Sequence, residues 1–339
     1  MVLENSSLTR LGNSGLRINH AVVGTMLFDM PPVGDVNMGV SEEDSLAILK
    51  KCYDEGLRTF DTANAYGGGN SEKVIGKFLK QYNIPRANVV IMTKCFLPID
   101  FAPMQGPSTS LNFNDRGLSR KHILDAVKGS VERLGTHIDL LQIHRYDPEV
   151  PDEEIMRALN DVVESGQVRY LGASSMKTYQ FIGLQNTAEK HGWHKFVSMQ
   201  SLYNLLYRED ERELNEYCKK TGVGLLPWSP NARGLLAIPT SSEKSKAKFQ
   251  FPFYKNLLHL DAENDPKIID RVEEVSKQIG CSMVEVAGGW LMAKGANPII
   301  GLTLVDSIES ILKLVNIKLT DEQVKYLEEP YRPKAGFHS

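Results

Sequence analysis

What most constrains this chain is a rhythm: a short apolar run, a loop, an amphipathic helix, a glycine stop, then another apolar run. The runs at 21–25 (AVVGT), 57–61 (LRTFD), 89–94 (VVIMTK), 138–144 (IDLLQIH), 168–174 (VRYLGAS), 196–200 (FVSMQ), 223–229 (VGLLPWS) and 298–301 (PIIG) make eight candidate strands. Most are continuously apolar, as parallel strands covered on both faces should be. The intervening segments carry helix signals. Ser41 can cap a helix in which Leu46, Leu49 and Tyr53 share a face, with Gly56 ending it. Ser119 opens another, with Ile123, Val127, Val131 and Leu134 on one stripe before Gly135, and Ile155, Leu159, Val162 and Val163 repeat the pattern before Gly166. Eight strands alternating with helices form either a closed barrel or a doubly wound sheet. No G-x-G-x-x-G follows the first strand, so the expected fold class is a (β/α)8 TIM barrel. The Gly67-Gly68-Gly69 run comes after the second strand and reads as a loop.

A barrel needs roughly 250 residues. The 339 residues are expected to form a single domain, 1–339, with room for extensions. Residues 8–20 (LTRLGNSGLRINH) read as an N-terminal β-hairpin. Long loops at 95–118 and 230–265 follow strands three and seven, which puts them at the C-terminal face, where barrel enzymes keep their sites. The Gly288-Gly289 pair inside a helical stretch suggests close packing.

Composition excludes several function classes. A net charge of −3 and a pI near 6.3 give no electrostatic case for nucleic acid or an anionic membrane. No apolar run approaches the ~20 residues that span a bilayer, and the first residues lack the apolar core of a signal peptide. Cys52, Cys95, Cys218 and Cys281 are far apart, without a C-x-x-C pair, which favours reduced thiols. A cytoplasmic location is the expectation.

Polar residues close three successive strands. Asp61 ends strand two, with Tyr66 five residues on; Lys94 ends strand three; His144 ends strand four. Singly, each has an ordinary structural explanation, but on one rim of a barrel the four side chains can meet. Their chemistry suits carbonyl reduction. As hydride reaches a carbonyl carbon, charge builds on oxygen and a proton must be supplied. Lys94 can stabilise the phenolate that Tyr66 leaves behind, Asp61 can hold Lys94 in place and charged, and neutral His144 can orient the substrate oxygen through a hydrogen bond.

The motifs FDTANAYGGGNSE (60–72), VVIMTK (89–94) and LLQIHRYDP (140–148), in this order, resemble those of the aldo-keto reductases through nearly the whole chain. The resemblance implies that Tyr66 is the proton donor, with Lys94, Asp61 and His144 as its partners, and that the cofactor is a nicotinamide laid across the barrel mouth. LGASS (171–175) resembles the segment whose Ser174 and next residue hold the carboxamide; Ser175 stands where many members have Asn. By the same resemblance Gln200 binds the carboxamide, Trp228 stacks on the nicotinamide, and Ser229, Asn231 and Arg233 meet the pyrophosphate. Gly24, Thr25 and Met26 match the strand end that touches the nicotinamide side. The phosphate site of a barrel is built by the loops after strands seven and eight, here 228–236 and 301–307, which brings in Gly301, Thr303 and Ser307. Many members carry Arg or Lys just after strand eight, for the adenosine 2′-phosphate. This chain has no basic residue there before Lys313. NADPH is the expected cofactor, with NADH possible.

Phe28, Met26, Phe96, Tyr146 and the aromatics of 249–254 can wall an apolar pocket, or pin down their own loops. Such a pocket suits an aromatic or aliphatic carbonyl rather than a charged one. Lys244, Lys246 and Lys248 read as a solvated face or as cover for the cofactor. IHRYDP, GASSM, LLPWSPNARG and YLEEPYRP are most similar to fungal and bacterial aryl-alcohol-dehydrogenase-like members. The expected partner is a small-molecule carbonyl, with no nucleic acid and no membrane; the oligomeric state is not legible. Two other readings stay open: a cofactor-binding barrel that acts mainly by gripping a partner protein, and a metal-dependent barrel hydrolase. The second requires clustered His and carboxylate ligands, whereas only His144 sits at a strand end, so no metal is expected.

Overall fold

The computed structural model describes residues 8–32, 38–100 and 113–337. A hairpin of β1 (Leu8–Arg10) and β2 (Arg17–Asn19) precedes eight parallel strands: β3 (Val22–Gly24), β4 (Thr59–Asp61), β5 (Val90–Cys95), β6 (Ile138–Ile143), β7 (Val168–Ser174), β8 (Phe196–Gln200), β9 (Gly224–Leu225) and β10 (Ile299–Gly301). Each strand pairs with its sequence neighbour, and β10 returns to pair with β3. The ring closes where Asn297 N and Ile299 N donate to Leu225 O and Pro227 O, both at 2.9 Å. The chain is therefore a (β/α)8 barrel. The strand expected at 223–229 shortens to two residues because Pro227 has no N–H for the ladder and Ser229 turns to a φ of 54°.

The helices α1 (Glu42–Asp54), α2 (Asn70–Gln81), α3 (Arg120–Leu134), α4 (Asp152–Glu164), α5 (Thr178–His191) and α6 (Leu214–Thr221) cover the outside. Ser41 and Ser119 accept from Asp44 N and His122 N, so both expected caps form. Buried Leu46, Ile48, Leu49, Ile123, Val127, Ile155 and Leu159 join the outward-facing strand residues Phe60, Ile91, Leu141 and Ile143 in one core. Burying such a side chain stabilises by about 1.5–3 kcal/mol.

The inward face is a second, smaller core. Leu11 and Ile18 of the hairpin join Val22, Met92, Leu140, Leu226 and Ile299, so the hairpin plugs the N-terminal end of the barrel. Its turn comes so close to the chain after α6 that a Cβ on Gly12 (φ +56°) would lie 2.2 Å from Gly222 O. Strand side chains alternate with period two. Lys94 follows Met92 on the inner face of β5, and Gln142 follows Leu140 on that of β6. The interior is thus apolar at the hairpin end and polar at the mouth.

A third cluster gathers α7 (Glu243–Gln250), α8 (Pro252–Leu258), α9 (Asp265–Ile279) and α10 (Met283–Ala293) with the segment 202–207; α11 (Ile308–Leu314) instead joins the first core through Ile308, Ile311 and Leu314, and α12 (Asp321–Glu328) returns to the third cluster with Leu327. The stretch 230–265, expected as a loop, holds a 3-10 turn (Ala232–Ala237), α7 and α8. The Gly288-Gly289 pair gains its reason here. A Cβ would meet Leu314 Cδ2 at 2.4 Å from Gly288 and Ile317 Cγ2 at 2.5 Å from Gly289, so α10 packs backbone-close against α11 and the chain just after it. Of the loop expected at 95–118, residues 101–112 lie outside the described residues; its ends meet where Gly117 N donates to Phe96 O at 2.8 Å. Among the described residues no helix is long and apolar enough to cross a membrane. All four cysteines are free thiols.

Candidate active site

The ends of β4, β5 and β6 bring Asp61, Lys94 and His144 to one rim, and a tight turn after β4 adds Tyr66. Gly67, Gly68 and Gly69 all take positive φ there, a conformation that side chains rarely adopt. Lys94 is 0% exposed and Asp61 2%. The Lys94 ammonium lies 2.5 Å from Asp61 Oδ1, 2.9 Å from Thr62 O and 3.4 Å from the Tyr66 hydroxyl. Burial works against its charge, but Asp61 and then Tyr66 more than offset this and hold its pKa above the usual lysine value. The other carboxylate oxygen of Asp61 accepts from Gln142 Nε2 at 2.9 Å and Gln200 Nε2 at 3.0 Å, and Gln200 Nε2 also donates to Gln142 Oε1 at 2.8 Å. The buried ion pair is thus tied into a network of neutral amides, the condition under which such a pair is tolerated.

His144 meets Tyr66 edge to face, with ring centroids 5.9 Å apart. Burial, then the cations Arg145 and Lys94, push its pKa well below the usual histidine value, so the ring is neutral at physiological pH. Its buried Nδ1 has no hydrogen-bond partner.

Across the mouth, Trp228 Nε1 donates to Ser175 Oγ at 3.0 Å, and Ser174 Oγ lies 3.2 Å from the same oxygen. Arg233 lies over the Trp228 ring at 5.5 Å, and Phe337, from the C-terminal segment, packs against that ring edge-on, also at 5.5 Å. That segment is strapped down by Lys334 on Asp265 (2.7 Å), a pair almost wholly buried. Ser229, Ala232, Arg233 and Gly234 all have positive φ, and on this turn Asn231 Oδ1 and Arg233 Nε are buried without partners. Gly301, at the end of β10, and Thr303 and Ser307 beyond it are exposed. Lys313, the first basic residue after it, is paired with Glu309 at 2.7 Å.

Some expected contacts do not survive. Phe28 was expected to line the substrate pocket. It is 0% exposed, because the chain after β3 doubles back, Phe28 N bonds Thr25 O, and the ring enters the strand–helix core beside Val40. Thr25 was expected to touch the cofactor. Its hydroxyl is buried, 3.0 Å from Asp61 O and 2.7 Å from Ser71 Oγ, so half-buried Met26 is the side chain of that segment left at the surface. Gly24 is likewise buried, with Ile299 Cγ2 3.0 Å from where a Cβ would be. The Tyr146 hydroxyl donates to Asp152 at 3.0 Å, and Phe96 is half-buried against the outer core. Phe251, Phe253 and Tyr254 pack chiefly on one another. Lys244 and Lys246 are solvated on α7, but Lys248 turns in to donate to Arg233 O at 2.8 Å.

Two residues at the site went unread in the sequence. Gln142 had a signal: it is the one polar side chain inside the apolar run LLQI, two residues before His144 and on the same face. Arg145 follows His144 and donates to its carbonyl at 2.6 Å; only the fold shows that it lies over Phe337, at 5.5 Å. Among the described residues no group of His, Cys, Asp and Glu is placed to hold a metal ion.

Residues 22–332 match the model of the aldo/keto reductase family. A Schizosaccharomyces pombe protein named as an aryl-alcohol dehydrogenase is 51% identical over 334 residues, 95% of each chain. A Saccharomyces cerevisiae protein of the same name is 50% identical over 96% of this chain and 97% of its own. A versiconal hemiacetal acetate reductase from Aspergillus parasiticus is 49% identical with the same coverage.

Proposed function

The chain belongs to the aldo/keto reductase family and is an oxidoreductase, and from that premise we propose that it reduces aldehydes and ketones to alcohols with NADPH, in the cytosol. The observation that carries the reading is the buried Asp61–Lys94 pair set against the Tyr66 hydroxyl, with a neutral His144 edge to face with the Tyr66 ring. Members of the family generally use NAD(P)H. The turn after β9 suits such a group, because Asn231 Oδ1 and Arg233 Nε are buried there with nothing to bond, and a cation without a counter-ion is what a diphosphate needs. Arg233, Asn231 and Ser229 would hold the phosphates, Gly301, Thr303 and Ser307 the adenosine end, and Trp228, Ser174, Ser175 and Gln200 the nicotinamide, with Met26 along its edge. Gln200 has its nitrogen committed to Asp61 and Gln142, which leaves its oxygen to accept from the carboxamide. Bound there, the nicotinamide supplies hydride to the carbonyl carbon.

The residues do the rest. His144, kept neutral by burial, donates a hydrogen bond to the carbonyl oxygen and fixes its position. Tyr66 passes its hydroxyl proton to that oxygen as charge builds on it, and Lys94 stabilises the phenolate left behind. Asp61 keeps Lys94 charged and in place, and Gln142 and Gln200 keep Asp61 in place. The substrates are aromatic or aliphatic carbonyls, consistent with the names that the yeast and Aspergillus relatives carry.

The test is to titrate the protein separately with NADPH and NADH, following Trp228 fluorescence, then to add 4-nitrobenzaldehyde and follow cofactor oxidation. Quenching by NADPH with turnover is the expected result. Preference for NADH would leave the chemistry standing and reassign the cofactor, since Thr303 and Ser307 offer no cation to a 2′-phosphate. Binding of neither would contradict the reading.

A further inference from the structure

Six arginines among the described residues are half-buried. Four are within ion-pair distance of a carboxylate: Arg86 with Asp139 at 2.6 Å, and Arg133 with Glu72, Arg208 with Glu211 and Arg271 with Glu329, each at 2.7 Å. Among the described residues Arg145 and Arg233 have none. Both lie at the mouth, stacked on aromatic rings that touch each other: Arg233 on Trp228, Arg145 on Phe337, and Phe337 edge-on to Trp228. Arg233 sits on the turn after β9, on the side given above to the diphosphate. Arg145 sits just past the end of β6, bonded to the carbonyl of His144, whose ring faces Tyr66.

A guanidinium does not escape burial by giving up its proton. Partly desolvated and without an anion, it carries a cost that a paired arginine does not. Among the described residues the Arg145 guanidinium makes one protein bond, which leaves the rest of its donor fork unspent. Tyr66 is the one group whose ionised form favours the charge of Arg145, against the cost of burial. Phe337 also lines a groove of about 360 Å³ with Phe253, Asn256, Leu257 and His259.

We propose that Arg145 is a substrate-recognition residue, and that the preferred substrates are aldehydes or ketones carrying a carboxylate, or a comparable anionic group, within reach of the carbonyl. The proposal rests on the carbonyl-reductase reading. It revises the expectation of an uncharged substrate, which came from the aromatic residues around the mouth alone. The anion replaces the water lost from the guanidinium and sets the carbonyl against Tyr66 and His144, so the gain appears in kcat/KM and mainly through KM.

The experiment compares 2-, 3- and 4-carboxybenzaldehyde with the matching methylbenzaldehydes, using wild type, Arg145→Leu and Arg145→Lys, with 4-nitrobenzaldehyde as a neutral reference. In wild type at least one carboxybenzaldehyde should exceed its methyl counterpart about tenfold or more in kcat/KM. Arg145→Leu should bring that ratio to about one, and Arg145→Lys should keep part of it. Because the readout is a ratio within one protein, a general loss of activity cancels. Three results overturn the proposal: no carboxylate preference in wild type, a ratio that survives in Arg145→Leu, or equal loss on all substrates, which would make Arg145 only a positioning residue for His144. Wild type that reduces 4-nitrobenzaldehyde without a carboxylate preference refutes the anion site alone. Wild type that reduces no aldehyde refutes the reductase reading and the anion site with it.

Discussion

The two sides of the barrel mouth are built on opposite principles. On the side of β4, β5 and β6 the carboxylate, ammonium and amides bond one another: Asp61 accepts from Lys94, Gln142 and Gln200, and the cluster is nearly inaccessible to water. Where the loop after β9 comes near the chain just past β6, Arg233 and Arg145 are half-buried with no carboxylate at ion-pair distance among the described residues, Arg233 on a turn of left-handed backbone. The Asp61 cluster is satisfied before any ligand arrives, and the two guanidinium groups are not. Preorganisation belongs where charge must develop without delay, and unspent hydrogen-bonding capacity belongs where affinity is needed.

This contrast implies different consequences for removing a charge on each side. Asp61→Asn strands the Lys94 ammonium in a site with no exposure, and should cost about 3–5 kcal/mol of stability as well as turnover; chemical denaturation of the variant checks it. A loss under about 1 kcal/mol would mean that the pair behaves like a surface ion pair. Arg233→Leu should weaken NADPH binding about 10- to 100-fold while leaving the melting temperature unchanged or raised, because it removes an unpaired cation. A large fall in stability together with normal affinity would reverse the comparison.

The smallest effect concerns His144. Its folded-state pKa lies below its unfolded value, so its neutral form contributes stability that is complete above about pH 6.5 and is lost as the pH falls below that toward the folded value. Between pH 7 and 5.5 the wild type should therefore lose about 1 kcal/mol more than His144→Asn does, measured by denaturation at both pH values. An identical pH dependence in the two proteins would show that the ring is not held neutral by burial.

The strand count, both serine caps and the four polar residues on one rim were legible in the sequence, because each depends on local pattern: apolar runs of strand length, a capping side chain before a helix, an ionisable residue closing a strand. What depends on how distant segments cover one another was not. Phe28 reads as a loop aromatic near the mouth, and only the return of the chain past Val40 buries it. Thr25 reads as a strand-end contact, and its hydroxyl turns inward to Asp61 O and to Ser71, at the start of α2. Whether Arg145 is paired depends on what surrounds it in space, Phe337 included, nearly two hundred residues away in sequence. Gln142 was within reach, since a single amide inside an apolar strand has to find partners.

The most direct test of the central claim is to measure NADPH affinity and aldehyde turnover side by side in Tyr66→Phe. The account predicts a dissociation constant within about twofold of wild type, since Tyr66 is assigned to the proton and not to the cofactor, and a kcat lowered by about a hundred- to ten-thousandfold. A variant that binds NADPH normally and still turns over at near the wild-type rate would contradict it, because the proton would then come from elsewhere.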